Sequence, residues 1–142
     1  MVCNLGCRTP TAMAPIDLTN SNWHIREGQA IWKPGPGSFD IAGELLVGWH
    51  PDGSSFVQFA KPPLVIVQAR RSPTAWEAEF PGQQRRYAGL GRPPHRLMWP
   101  ELPAILAGTV ASEAWLITTN SSGWTVESTG RQKMVLRGYL AD

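Results

Sequence analysis

Cysteine is nearly absent: Cys3 and Cys7 are the only two in 142 residues. Their C-x3-C spacing, with no histidine nearby, is poor for a disulfide and poor for zinc. His24, His50 and His95 stand far apart and show no ligand spacing, so no metal site and no cofactor is expected. No G-x-S-x-G, P-loop, dinucleotide-binding fingerprint or H-E-x-x-H occurs, and the sequence marks no enzyme. No apolar stretch approaches the ~20 residues of a membrane-crossing helix. Charge is low as well, at 17% against about a quarter in ordinary globular chains. A surface this neutral is common among exported β proteins.

Tryptophan, glycine and proline are what the chain has in quantity. Six of its seven tryptophans, Trp23, Trp32, Trp49, Trp76, Trp115 and Trp124, fall in strand-like segments, and Trp99 opens the one helix-like stretch. Large flat side chains spaced one per strand build a broad apolar wall, which is either a core or a place where something greasy binds. Thirteen prolines and fourteen glycines separate the apolar runs at turn spacing, and so argue for many turns and a mainly β fold.

Residues 1–20 read as a tether without periodicity, and 21–142 as one domain. Trp23-His24-Ile25-Arg26 begins an alternation that runs, less cleanly, to Ile31-Trp32-Lys33, until Pro34-Gly35-Pro36-Gly37 forces a turn. Phe39, Ile41, Gly43, Leu45, Val47 and Trp49 give the cleanest period-two signal, with Asp40, Ala42 and Glu44 between them. Pro51-Asp52-Gly53 closes this strand, and Phe56 to Ala60 should return antiparallel. Leu64 to Ala69 is apolar on both faces, which fits a doubly covered central strand or an exposed edge that recruits a partner.

Trp76, Ala78 and Phe80 alternate with Glu77 and Glu79, and Arg85 to Gly89 should pair back. Trp99 to Gly108 reads as a short helix: prolines suit its first turn, Glu101 its positive end and Gly108 its stop. A meander through Glu113–Thr119, Trp124–Ser128 and Lys133–Leu140 follows. The sum is eight or nine antiparallel strands and one helix, expected to form a curved, unclosed β-barrel. The glycines inside its strands favour that curvature.

The polar residues offer little chemistry. Asp52 with Ser54 or Ser55 sits in a hairpin turn, where such side chains bond the backbone. Glu44, Glu77 and Glu79 could pair for glycoside hydrolysis, but on alternating strands they read as the wet face. The band of Lys61, Arg70, Arg71, Arg85, Arg86, Arg92 and Arg96 could attract phosphates or anionic lipid. Its arginines cluster at turns, apart from the inward tryptophans, so nucleic-acid binding is not expected.

Several pieces together resemble the LolB-type outer-membrane lipoprotein receptors. They are the opening Trp23, the strand through Phe39-Asp40-Ile41-Ala42-Gly43-Glu44-Leu45, the Pro63-Leu64 junction, and Trp99-Pro100-Glu101-Leu102-Pro103-Ala104-Ile105-Leu106-Ala107-Gly108 before a final meander. The resemblance implies an unclosed barrel with an internal helix and a cavity for acyl chains of lipid or lipoprotein. It implies a protruding apolar residue, here Leu64, that touches the inner leaflet of the outer membrane. It also makes Asn4-Leu5-Gly6-Cys7 a lipid-attachment site at Cys7, facing the periplasm. That export needs an apolar leader upstream of Met1, because Met1-Val2-Cys3 is too short to supply one.

The expected function is therefore a non-enzymatic envelope lipoprotein. Trp32, Phe39, Ile41, Leu45, Val47, Trp49, Trp76 and Phe80 would line its concave face, with Ile105 and Leu106 covering it. The competing expectation is a structural or assembly lipoprotein with a dry core, whose edge Val65-Ile66-Val67 takes an envelope partner's strand.

Overall fold

The computed structural model describes residues 16–19, 22–94, 97–108, 115–121, 123–128 and 134–141. Nine strands follow in order: β1 (His24–Lys33), β2 (Ile41–Trp49), β3 (Ser55–Lys61), β4 (Leu64–Arg71), β5 (Ala75–Phe80), β6 (Arg85–Leu90), β7 (Trp115–Asn120), β8 (Gly123–Ser128) and β9 (Val135–Ala141). A 3-10 turn, Pro81–Gln83, joins β5 to β6, and a second, Trp99–Glu101, runs into α1 (Leu102–Leu106). All nine strands form one antiparallel sheet ordered β6-β5-β4-β3-β2-β1-β9-β8-β7. The sheet is not closed, since β6 and β7 end it without pairing to each other.

Alternation along each strand becomes a continuous apolar face once the register is set. Leu45 lies opposite Phe59 and Val47 opposite Val57; Phe59 and Val57 in turn oppose Val67 and Ala69. On the other side Trp32 opposes Leu136, and Leu136 opposes Val126. A one-residue slip anywhere would turn a whole row outward, so burial itself specifies the pairing.

The chain between β6 and β7 crosses this apolar face. Trp99, Leu102 and Ile105 are buried there. The Trp99 indole stacks on Phe59 with centroids 5.8 Å apart and meets Trp32 edge-on at 5.3 Å. Pro100 and Pro103 cost no hydrogen bonds in these first turns, where N–H groups have no partner in any case. Gly108, at φ 75°, ends the segment, its N–H donating to the Ile105 carbonyl. Each large side chain sealed this way contributes about 1.5–3 kcal/mol.

One strand expectation is corrected. Phe39 precedes β2 and is 92% exposed. Carrying the β1–β2 register beyond Trp32–Ile41 would set Phe39 opposite Pro34, which has no N–H for the ladder. The strand therefore starts two residues later than its alternation implies. Val65-Ile66-Val67 lies in a strand that is interior only in part: β3 runs along one side of it, while β5 reaches no further than Gln68 on the other.

The opposite, outer face has its own apolar spot. Trp23 packs against Phe56 and His50, at 5.3 and 5.1 Å between centroids. Gly48 lies beneath the Phe56 ring, and a Cβ there would run into that ring. Ile16 and Leu18, from the end of the expected tether, border a depression beside Leu46 and Phe56. Cys3, Cys7 and the rest of the tether through residue 15, with His95 and Arg96, lie outside the described residues.

Candidate functional site

The concave face is mostly filled by its own plug. Leu45, Val47, Trp76 and Ile105 are buried, and all but Trp76 belong to one packed core with Trp99, Phe59 and Leu102. Their side chains are packed against that plug rather than laid open as an acyl-chain lining would be. Ile41, Trp49 and Leu106 are half-buried and pack on the same core, and the Trp49 indole N–H donates to the Pro103 carbonyl at 2.7 Å. That bond ties the plug to β2. Phe39, exposed in its loop, belongs to neither wall nor core.

Open apolar space remains at one end, where β4 outruns β5. β5 pairs only with Gln68 to Arg71 of β4, leaving the Leu64–Val67 half to face the Pro81–Gln83 turn. A bulge next to Phe59 and Ala60 adds an unpaired residue, Ile66, to the β4 side, and such bulges re-aim side chains. The result is a cleft of about 440 Å³ among Trp32, Pro63, Leu64, Ile66 and Phe80, floored by the turn. That volume falls within the ~300–1,000 Å³ of small-ligand sites. Phe80 is braced edge-on by Tyr87 at 6.1 Å.

Leu64 stands at the lip, 69% exposed, carried by the Pro62-Pro63 turn. No charged side chain lines the cleft. Three residues named from sequence, Trp32, Leu64 and Phe80, thus line this cleft, while the other residues named for the apolar wall do not. Pro63, Val65 and Ile66 were not singled out as lining. Their signal was present: an apolar-both-faces run between two proline turns, longer than the amphipathic strand that pairs with it.

A wider depression of about 650 Å³ spans β1, β2, β8 and β9 beside Gln29, Glu44, Lys61, Trp124, Arg137 and Tyr139. Its lining mixes both charges with apolar atoms, so it defines no single ligand chemistry. The smaller cleft is the better candidate because its lining carries no charge and, Gln83 apart, no polar side chain.

Polar groups inside the fold are few and poorly paired. The buried indole N–H groups of Trp32, Trp115 and Trp124 meet no acceptor among the described residues. Glu101 is fully buried, and among the described residues neither carboxylate oxygen finds a hydrogen-bond partner. Its nearest described cation is Arg92, whose Nε lies 3.5 Å away on a side chain 61% exposed.

On the outer face, Glu77 is clamped by Arg70 at 2.5 Å and Arg86 at 2.7 Å, and Gln68 donates to Glu79 at 2.8 Å. Burial pushes the Glu77 carboxyl up, but the hydrogen bonds and charges of the two arginines outweigh it and hold it below its ordinary value. Two arginines of the basic band are thereby committed to the sheet. Asp52 accepts the Ser54 N–H at 2.7 Å within its turn, the main reason its carboxyl lies low. Glu44, Glu77 and Asp52 sit on separate elements and share no cleft. Among the described residues no three His, Cys, Asp or Glu side chains group to hold a metal ion, and no helix is long and apolar enough to cross a membrane.

No protein-family model matches this chain, and no curated protein matches it either. The class that fold and geometry define is an unclosed antiparallel β-sheet, plugged on its concave side and cleft at one end.

Proposed function

We propose that this protein is a non-enzymatic, LolB-like lipid-binding protein of the cell envelope that takes an acyl chain of a lipid or lipoprotein into the Trp32–Leu64–Ile66–Phe80 cleft. The single observation carrying the reading is an uncharged apolar cleft with an exposed leucine at its lip. A leucine so placed enters a membrane surface cheaply, and a chain leaving that surface meets the cleft at once. Because no cation lines the cleft, the chain it suits bears a neutral ester or amide head, not a free carboxylate. In this reading Cys7 carries the lipid anchor, and the cleft faces the inner leaflet of the outer membrane.

Native mass spectrometry after mild purification tests it: a co-purified acyl lipid is expected, lost in Phe80→Asp. Leu64→Asp should keep the melting temperature, since the side chain is mostly in water, but lower co-flotation with lipid vesicles several-fold. An empty protein that ignores both vesicles and acyl esters would end the proposal.

One observation favours a second reading, a structural or assembly lipoprotein. Most of the tryptophan wall is packed against the plug, as a dry core would be. In that reading the partner strand is taken along Val65-Ile66-Val67, which β5 does not reach.

A further inference from the structure

The two ends of the sheet are chemically unlike. β6 reads Arg85-Arg86-Tyr87-Ala88-Gly89-Leu90, with Arg86 held on Glu77. β7 reads Trp115-Leu116-Ile117-Thr118-Thr119-Asn120, with no charge, proline or glycine. Trp115 is buried, whereas Leu116 to Asn120 are exposed, Leu116 at 57%. Among the described residues β7 pairs with β8 on one side, and no strand lies on the other.

Among the described residues that outer side presents unpaired N–H and C=O groups within Leu116 to Thr119, on residues that favour extended backbone. Proteins usually blunt such an edge with lysine, proline or a bulge. β6 carries arginines. β7 carries none of these devices.

We infer that β7 is a self-pairing edge at which a second copy of this chain docks, β7 antiparallel to β7 about a two-fold axis. Charge identifies the occupant. Two neutral edges meet without repulsion, whereas β6 against β7 would bring Arg85 and Arg86 to a strand with no acidic residue to receive them. The two-fold contact also closes at two copies, leaving only arginine-bearing ends exposed, where a head-to-tail contact would keep growing.

Directly opposed residues share a sheet face. A two-fold at Ile117 therefore sets Ile117 against its own counterpart, and Leu116 against Thr118 of the second copy. Six residues per strand bury less than the ~1,200 Å² of stable interfaces. The dimer is accordingly reversible. It uses neither the cleft nor Leu64, and holds whether or not the protein binds lipid.

Sedimentation velocity of the full chain over about a hundredfold concentration range tests it. The wild type should move from monomer to dimer, with nothing larger. The Leu116→Lys, Thr118→Lys double variant sets lysine opposite lysine across the axis and should stay monomeric. Both sites are exposed, so its melting temperature should match wild type; Thr118→Lys alone, which should weaken the dimer, serves if the double variant melts early. Leu90→Lys on β6 should dimerise normally. A wild type monomeric throughout, association beyond two, a double variant that dimerises like wild type, or loss of the dimer in Leu90→Lys would each overturn the inference.

Discussion

Trp99→Ala removes the centre of the plug, and its cost follows from the contacts. The indole is 2% exposed, stacks on Phe59 and meets Trp32 edge-on. Truncating a buried tryptophan costs about 3–5 kcal/mol, part from lost transfer energy and part from the cavity left behind. Aromatic pairing adds about 0.5–1.5 kcal/mol for each neighbour, which places the loss at the upper end. Against a total stability of roughly 5–15 kcal/mol, that is a large fraction. At about 3–4 °C per kcal/mol for a chain of this size, the melting temperature should fall by roughly 10–20 °C.

Trp99→Phe keeps the ring stack and should lose less than half as much. Urea denaturation with near-ultraviolet circular dichroism reads both variants, and a dye for exposed apolar surface should brighten only with Trp99→Ala. A loss below about 1 kcal/mol for Trp99→Ala would refute the packing argument, because a loosely seated plug is the only geometry that makes the indole dispensable.

Glu101 is buried without a hydrogen bond to either oxygen among the described residues, so Glu101→Met should stabilise the fold by about 1–3 kcal/mol in urea melts, where most core changes destabilise. Glu77 has a depressed pKa in the folded state; its contribution to stability is present above the ordinary carboxylate range and fades as pH falls through the folded value. Glu77→Gln should therefore lose stability against wild type near neutral pH, and the gap should close in strong acid, as followed by urea melts across pH. Gly48→Ala has no room beneath Phe56 and should cost about 1–3 kcal/mol by thermal melt, with Phe56→Ala in the same chain recovering part of it.

The strands were legible because period-two alternation is a local property. Ile41 to Trp49 shows it in nine residues, and the turns beside it announce themselves through proline and glycine. The start of β2 was not legible, since it depends on Pro34, the residue at which the neighbouring strand has just ended. The site was half legible. Trp32 and Phe80 could be assigned to the inner face from their parity alone, and Leu64 stood out beside its prolines. That Leu45, Val47 and Trp76 are packed away and Trp32 borders space depends on where the plug crosses, which alternation does not encode. The same holds for β4: an apolar run on both faces describes an interior strand and an edge equally well, and only the register, in which β5 stops at Gln68, shows that this strand is part each.

By itself, then, the sequence determined a mainly β chain, the inward side of each strand, and a short proline-rich helix between two sets of strands. Those follow from backbone geometry and local periodicity. The tertiary structure decided that the tryptophans mostly enclose Trp99 and its neighbours, that β4 outruns β5 to leave an apolar cleft, and that the sheet ends in one arginine-bearing edge and one bare one. Each of these is a relation between segments far apart in the chain, set by register and by the path of the crossover.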